Sequence, residues 1–126
     1  MKKALVIDDD ELDLELIGIV LSKEGFTIIS TADGPQGVTL YKHHQPDLVF
    51  LDLGLPSMSG IAVLQEIRAY DKNALVFLIT GHGSVDSAKA AMGFGAAAFL
   101  EKTTNVETMV NKIKSALQRT GLARIS

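Results

Sequence analysis

The run Leu48-Val49-Phe50-Leu51, followed at once by Asp52, shows the arrangement that decides the fold of this chain. Four other short apolar runs share its character, at Ala4–Ile7, Phe26–Ile29, Leu75–Ile79 and Ala97–Leu100. Such runs, rich in Val, Ile, Leu and Phe and without polar–apolar alternation, are typical of strands buried on both faces of a sheet. The sequence therefore predicts five buried strands.

Segments with helical spacing of apolar residues lie between these runs, and most begin with a capping residue. We expect Asp10 to cap the first helix, Asp33 before Gly34-Pro35 to cap the second, and the third to follow Ser59-Gly60. Thr104 and Glu107 can form a capping box at the start of the fifth. The expected inward-facing residues are Leu12, Leu16, Ile19 and Val20 in the first helix, Leu64 and Ile67 in the third, Val85, Ala88 and Met92 in the fourth (Ser84 to Met92), and Val106, Met109, Val110, Ile113 and Leu117 in the fifth.

Alternation of strands and helices over short loops predicts an α/β fold of the form (βα)5. The strands are expected to be parallel, joined by right-handed crossovers, with helices on both faces of a doubly wound five-stranded sheet. The fourth helix has the smallest apolar face, so we expect it to be the most weakly held. Residues 1–120 are predicted to form one domain, and residues 121–126 a frayed tail or the start of a linker.

Composition narrows the function classes. The chain has 126 residues, a formal net charge of −3, 47% hydrophobic and 21% charged residues, and no cysteine. The mild negative charge argues against direct binding of nucleic acid by this domain. Without cysteine there can be no disulfide scaffold, thiolate zinc site or cysteine nucleophile. No apolar stretch approaches the roughly 18 residues of a membrane span, so we expect a cytoplasmic protein with no membrane contact.

Residues that carry chemistry follow the predicted strands. Ligands of an open parallel sheet bind outside the carboxyl ends of the strands, where the strand order reverses. We therefore expect one edge of the sheet to collect the groups that come directly after four of the strands. These are Asp8, Asp9, Asp10 and Glu11 after the first, Asp52 after the third, Thr80-Gly81 after the fourth and Lys102 after the fifth.

Carboxylates brought this close would repel one another, and a hard divalent cation relieves that repulsion. Oxygen-only ligands favour Mg²⁺, with Mn²⁺ as the alternative, over zinc. A carboxylate can act as nucleophile toward phosphorus and form an acyl phosphate. In that case Lys102 and the Thr80 hydroxyl would bind the remaining phosphoryl oxygens.

Each of these residues alone has a simpler interpretation. Asp8 to Glu11 could be a capping run favoured by the helix dipole. Asp52 could be a solvated loop acid, Thr80 a strand-end hydroxyl, and Lys102 a surface lysine. Their appearance at four strand ends in the required order favours a common site.

Taken in order, these motifs resemble the receiver domain of two-component response regulators over essentially the whole chain. The stretch Thr80-Gly81-His82-Gly83 is more similar to receivers attached to transcriptional activators than to stand-alone chemotaxis receivers. The matching segments are Val6-Ile7-Asp8-Asp9-Asp10, Pro46-Asp47-Leu48-Val49-Phe50-Leu51-Asp52, Leu55-Pro56-Ser57-Met58-Ser59-Gly60, Ile79-Thr80-Gly81-His82-Gly83, Gly95-Ala96 and Phe99-Leu100-Glu101-Lys102.

The resemblance implies a flavodoxin-like sheet with strand order 2-1-3-4-5, which is the known order in chemotaxis receivers. It implies that Asp52 is the phosphoacceptor and that Lys102 pairs with the phosphoryl group. For Mg²⁺, it implies Asp9 and Asp52 as direct ligands, the backbone carbonyl of Gly54 as a third, and Asp8 as a ligand through water.

The resemblance also implies how the signal passes. The phosphoryl donor would be the phosphohistidine of a sensor histidine kinase or a histidine phosphotransfer protein. Thr80 and Phe99 would be the switch pair, and phosphorylation would change the face formed by the fourth helix, the fifth strand and the fifth helix. That face would act on a downstream output domain or protein, and autodephosphorylation would be slow. A phosphorylation-dependent homodimer is compatible with the sequence, although no exposed apolar stripe demands one.

This chain departs from the family pattern at four positions. The family lysine is usually followed by proline, often through a cis peptide bond, whereas Lys102 precedes Thr103. A cis bond before a non-proline residue costs about 2.5–4 kcal/mol, so we expect either a trans bond with an altered loop or a retained, strained cis bond. Gly54 and His82 occupy positions that in this family tune the lifetime of the acyl phosphate, and Phe99 replaces the tyrosine that is commoner in the family.

Three alternative functions remain open from the sequence. A pseudo-receiver would keep the fold as an interaction module without phosphorylation, and only Thr103 favours it. A flavodoxin-like nucleotide or cofactor binder needs a Gly/Ser/Thr-rich phosphate loop after the first strand, where this chain has acids. A phosphoaspartyl hydrolase is expected to have a second acid two residues after the nucleophile, where this chain has Gly54.

Overall fold

A computed structural model describes residues 2–55, 58–81 and 85–122, with only the backbone described at 85–88. Within these residues, five strands and five helices alternate. The strands are β1 (Lys2–Ile7), β2 (Phe26–Thr31), β3 (Leu48–Asp52), β4 (Val76–Thr80) and β5 (Ala98–Glu101). The helices are α1 (Glu11–Lys23), α2 (Gly34–His44), α3 (Gly60–Tyr70), α4 (Val85–Gly93) and α5 (Val106–Arg119).

All neighbouring strands are parallel, in the order β2-β1-β3-β4-β5. This confirms the predicted α/β fold and strand order. Alternate residues of β1 enter two separate cores: Ala4 and Val6 pack with α1 and α5, whereas Leu5 and Ile7 pack with α2 and α3. The chain order reverses between β1 and β3, so the carboxyl ends of these two strands form the crevice in which ligands of such sheets bind.

The prediction that all five strands are buried on both faces is correct only for the centre of the sheet. Every residue of β3 and β4 is buried. In contrast, β2 exposes Thr27 and Ser30, and β5 exposes Glu101. Both are edge strands with a neighbour on one side only, and polar residues at such an edge discourage pairing with other chains.

Two expected helix caps are present, and α3 begins at the expected Ser59-Gly60 pair. The side chain of Asp10 accepts hydrogen bonds from the backbone N–H groups of Leu12 and Asp13, and Asp33 and Ser59 cap α2 and α3 in the same way. The prediction of a capping box at Thr104 and Glu107 is wrong. Asn105 caps α5 instead, its side chain accepting from the N–H of Thr108 at 2.9 Å.

The inward faces of α1, α4 and α5 also differ from prediction. Leu12 and Ile19 of α1 are 75% and 48% exposed, Met92 of α4 is 46% exposed, and Val106 of α5 is 60% exposed. Apolar residues occur on nearly all sides of α1, so spacing alone could not single out the buried face. The buried residues are Ile17, Val20 and Leu21 in α1, Ala91 in α4, and Met109, Ile113, Ala116 and Leu117 in α5. Val85 and Ala88 lie outside the described side chains.

The end of the domain remains a prediction. Helix α5 ends at Arg119, and Leu122 still packs partly against the core beneath α1 and α5. Residues 123–126 lie outside the described part. Among the helices that the structure describes, none is long and apolar enough to cross a membrane.

Gly60 holds the loop after β3 against the start of α3. Its N–H donates to the carbonyl of Leu53 at 3.2 Å. A methyl group at Gly60 would lie 2.5 Å from the Leu53 Cα atom and 2.6 Å from the Asp52 carbonyl oxygen, so backbone would have to move. We expect Gly60→Ala to lower the free energy of unfolding by about 1–3 kcal/mol, the usual cost of overpacking. Urea unfolding of this variant measures the loss.

Gly18→Ala is the matched control for Gly60→Ala. Gly18 lies inside α1, and a methyl group there meets only Ile28, at 3.9 Å. Because glycine in a helix interior is less stable than alanine by roughly 0.5–1 kcal/mol, this change should stabilise the protein. Equal effects of the two substitutions would contradict the close packing at Gly60.

Candidate functional site

The carboxyl ends of β1, β3 and β5 bring their polar residues together. Asp8 comes directly after β1, Asp52 is the last residue of β3, and Lys102 comes directly after β5. Asp8 is fully buried and Asp52 is 4% exposed, whereas Asp9 is exposed. One carboxylate oxygen from each of these three acids lies within 4.8 Å of the others. Three of the predicted acids therefore meet at this sheet edge, whereas Asp10 caps α1 and Glu11 is the first residue of that helix.

The surroundings of these acids fit a divalent cation. Asp8 Oδ1 accepts a hydrogen bond from the backbone N–H of Asp10 at 2.9 Å. Asp8 Oδ2 is buried, and its contact among the described residues is the Lys102 ammonium at 3.1 Å. Buried carboxylates this close together are costly unless positive charge compensates them. Carboxylate oxygens are also the ligands that Mg²⁺ prefers.

Lys102 supplies the positive charge of the site. Its Nζ lies 3.1 Å from Asp52 Oδ2 and 3.1 Å from Asp8 Oδ2. The same ammonium lies 2.7 Å from Asp13 Oδ2, on the first turn of α1. The peptide bond between Lys102 and Thr103 is trans, and the side chain nevertheless points to Asp52. The replacement of the family proline by Thr103 therefore leaves the lysine directed into the site.

Burial and charge change the protonation of these groups. Burial, more than the nearby negative charge of Asp52, raises the pKa of Asp8 to about 7, against the opposing effects of the Asp10 N–H and of Lys102. Burial alone would lower the pKa of Lys102, but the carboxylates of Asp13, Asp8 and Asp52 outweigh it and raise that pKa above its ordinary value. The lysine thus stays charged at neutral pH.

The raised pKa of Asp8 predicts a pH-dependent stability in metal-free buffer. The folded protein binds this proton more tightly than the unfolded chain, whose aspartate has a pKa near 3.8. The contribution of Asp8 to stability is therefore complete below about pH 3.8 and is lost as the pH rises through 7. Thermal unfolding in EDTA should show wild type losing stability relative to Asp8→Asn between pH 4 and pH 8. If the stability of wild type relative to Asp8→Asn stays constant or rises between pH 4 and pH 8, the raised pKa of Asp8 is contradicted.

Of the other predicted residues, Gly54 contacts this group, and Thr80 and Phe99 lie on the strands β4 and β5. Gly54 is exposed, and its N–H donates to Asp52 Oδ1 at 2.9 Å. Thr80 is buried at the end of β4, and Phe99 on β5 is half-buried against the core beneath α2 and α3. His82 lies outside the described residues. Asp13 was missed from the sequence, although its position one helical turn after Asp10, three residues away, places both acids on one side of α1.

The comparisons with known proteins agree with this geometry. Residues 4–114 match the family model described as response regulator receiver domain. The chain belongs to this family. As a receiver domain, it is a signalling module of two-component systems.

Among its relatives, this receiver domain is 36% identical to the chemotaxis protein CheY of Treponema pallidum, over 92% of the chain and 83% of CheY. It is 32% identical to the cell cycle transcriptional regulator CtrA of Caulobacter vibrioides, over 93% of the chain and 51% of CtrA. The chain thus spans about half the length of transcriptional regulators such as CtrA. The CheY of a CheX–CheY–BeF3–Mg²⁺ complex from Borrelia burgdorferi is 33% identical with a TM-score of 0.82, over 92% of this chain and 89% of that one.

Proposed function

We propose that this receiver domain is a phosphorylation-dependent switch in which the Asp52 carboxylate takes a phosphoryl group from a partner's phosphohistidine. The observation that carries the proposal is the convergence on buried Asp52 of two further acids and the Lys102 ammonium. An acid buried without a role would be costly, whereas an acid flanked by a cation site and an ammonium is prepared to accept negative charge.

The transfer exchanges one bond to phosphorus for another. An Asp52 oxygen attacks the phosphorus in line with the phosphohistidine nitrogen, the nitrogen–phosphorus bond breaks, and the imidazole leaves with that electron pair. The product is an acyl phosphate on Asp52. Lys102 lies within 3.1 Å of Asp52 Oδ2 and supplies a charged donor for a phosphoryl oxygen. The Gly54 N–H bonds Oδ1 and orients the carboxylate. Attack by water on the phosphorus later breaks the bond between the phosphorus and the Asp52 oxygen, which releases inorganic phosphate and the free carboxylate.

The residues present fit a magnesium ion, with manganese as the alternative. Asp9, Asp52 and the backbone carbonyl of Gly54 would hold the ion directly, and Asp8 through a water molecule. The ion would neutralise charge that develops on the phosphoryl oxygens. The related CheY from Borrelia burgdorferi was crystallised in a complex that contains Mg²⁺ and BeF3, which supports this choice.

Thr80 and Phe99 would carry the signal away from the site. Thr80 ends β4, and Phe99 lies on the neighbouring strand β5, in register with Leu78. We propose that the Thr80 hydroxyl moves to the phosphoryl group and that the Phe99 ring turns inward behind it. The face formed by α4, β5 and α5 would then change and act on an output domain or protein.

The partner that donates the phosphoryl group would be a histidine kinase or a histidine phosphotransfer protein. The exposed side chains of Leu12, Ile19 and Val106 give α1 and the start of α5 an apolar surface beside Lys102. The sequence had indicated no such surface. Apolar side chains next to a buried acceptor suit a helical partner that must bring its histidine close to Asp52.

Incubation with Mg²⁺ and phosphoramidate, a small donor with a nitrogen–phosphorus bond, tests the proposal. Intact-mass spectrometry should show a gain of one phosphoryl group that EDTA prevents. A pseudo-receiver would show no gain in either condition. Matched wild-type protein with sulfamate in place of phosphoramidate controls for non-covalent anion binding.

A further inference from the structure

The shortest ion pair of Lys102 joins it to Asp13, an acid outside the cluster of Asp8, Asp9 and Asp52. Its Nζ lies 2.7 Å from Asp13 Oδ2, against 3.1 Å from the nearest oxygens of Asp8 and Asp52. The side chain of Asp13 is 27% exposed, and that of Lys102 is 18% exposed. Asp13 is not among the three acids that cluster at the strand ends. The ammonium is therefore held between the site on one side and helix α1 on the other.

An ammonium group has three N–H donors, and three carboxylates surround this one. The oxygens of Asp8 and Asp52 have other roles in the proposed chemistry, as metal ligand and as phosphoacceptor. They are not free to hold the ammonium at every stage. Asp13 has neither role, so it can keep its contact with Lys102 both before and after the transfer.

Lys102 also needs such a restraint. A lysine side chain loses rotamer entropy when it is fixed in one position. The next residue is Thr103, which does not restrict the backbone φ angle of the loop as a proline ring would. An ion pair this exposed contributes little to the stability of the fold. Because this ion pair holds the Lys102 ammonium beside Asp52, its consequence is for phosphorylation and not for stability.

We propose that Asp13 is a positioning residue that holds the Lys102 ammonium at the phosphoacceptor. This inference rests on the proposed function. It means that a residue of α1 affects the rate at which Asp52 is phosphorylated. The acid acts through Lys102 and does not touch the phosphoryl group.

Phosphorylation rates of Asp13 variants test the inference. With phosphoramidate and saturating Mg²⁺, Asp13→Ala should be phosphorylated about tenfold more slowly, because the ammonium is no longer held in place. Asp13→Asn should recover part of that loss, since its amide oxygen still accepts a hydrogen bond from the ammonium. Glu15→Gln is the control, because it removes the same charge from the exposed side of the same helix.

A double-mutant cycle separates positioning from a general structural effect. In a Lys102→Ala background, Asp13→Ala should change the rate no further, because the group that it positions is gone. A loss of equal size in both backgrounds, or an unchanged or faster rate in Asp13→Ala alone, would overturn the inference. Thermal unfolding of each variant shows whether a slow variant is merely unstable.

A second measurement does not depend on phosphorylation. Asp13 Oδ2 lies 2.7 Å from the Lys102 ammonium, so the NMR signals of that ammonium group at neutral pH should shift, and its protons should exchange faster with water, in Asp13→Ala than in wild type. Unchanged ammonium signals in Asp13→Ala would contradict the contact itself. If the signals change in Asp13→Ala but wild type is not phosphorylated, the proposed function fails and the contact stands. If wild type is phosphorylated and Asp13→Ala keeps its rate, only the positioning role fails.

Discussion

Lys102→Ala should be phosphorylated by phosphoramidate at least about a hundredfold more slowly than wild type at saturating Mg²⁺. The substitution removes the ammonium that lies 3.1 Å from Asp52 Oδ2. Loss of one charged or hydrogen-bonding group aimed at developing negative charge commonly costs about 10²–10³ in rate. The measurement is the rate of mass gain under single-turnover conditions.

The same variant should bind Mg²⁺ more tightly than wild type. In the wild-type protein Lys102 shares Asp8 and Asp52 with any cation that occupies the site, so its removal leaves these acids to the metal. A metal titration therefore moves in the opposite direction to the rate. Lys72→Ala removes the same charge from an exposed position and should change neither quantity. If Lys102→Ala is phosphorylated at the wild-type rate, or binds Mg²⁺ more weakly than wild type, Lys102 does not have the proposed role.

Asp9→Asn should raise the Mg²⁺ concentration for half-maximal phosphorylation by about ten- to a hundredfold. Changes at metal-binding groups have effects of this size on affinity. Asp9 is the exposed member of the three-acid cluster, so its replacement disturbs little of the core. Since the described ion pairs of Lys102 involve Asp8, Asp13 and Asp52, the ammonium should stay in place.

The affinity loss in Asp9→Asn should be recoverable with metal. At high Mg²⁺ the rate should return toward that of wild type, which distinguishes a lost ligand from a damaged acceptor. Glu11→Gln, an exposed acid two residues further along, is the control for general electrostatic attraction of the cation. An unchanged half-maximal concentration in Asp9→Asn would exclude this residue as a metal ligand.

Much of the fold could be predicted because β3 and β4 are buried on both faces and their sequences are continuously apolar. The local chemistry of Asp10, Asp33 and Ser59 likewise set three helix starts. What could not be predicted is the rotation of helices about their axes. In α1 apolar residues occur on several sides, and only packing against β2 and α5 decides that Leu12 faces solvent and Ile17 the core.

The candidate site likewise contains residues that could be predicted from the sequence and one that could not. Asp8, Asp52 and Lys102 meet because each directly follows or ends a parallel strand, a relation that can be read along the chain. Asp13 reaches Lys102 across the gap between α1 and the loop after β5, and that gap depends on how the helix docks on the sheet. Strand periodicity carries no information about that distance. The roles of Thr80, Phe99 and Gly54 rest on resemblance and stay predictions.

The most direct test of the central claim is to locate the phosphoryl group. Protein treated with phosphoramidate and Mg²⁺ is reduced with borohydride, which converts an aspartyl phosphate to homoserine, and is then mapped by peptide mass spectrometry. We predict homoserine at residue 52 alone, and none in Asp52→Asn or in the presence of EDTA. Homoserine at another aspartate, or modification that persists in Asp52→Asn, would contradict the account.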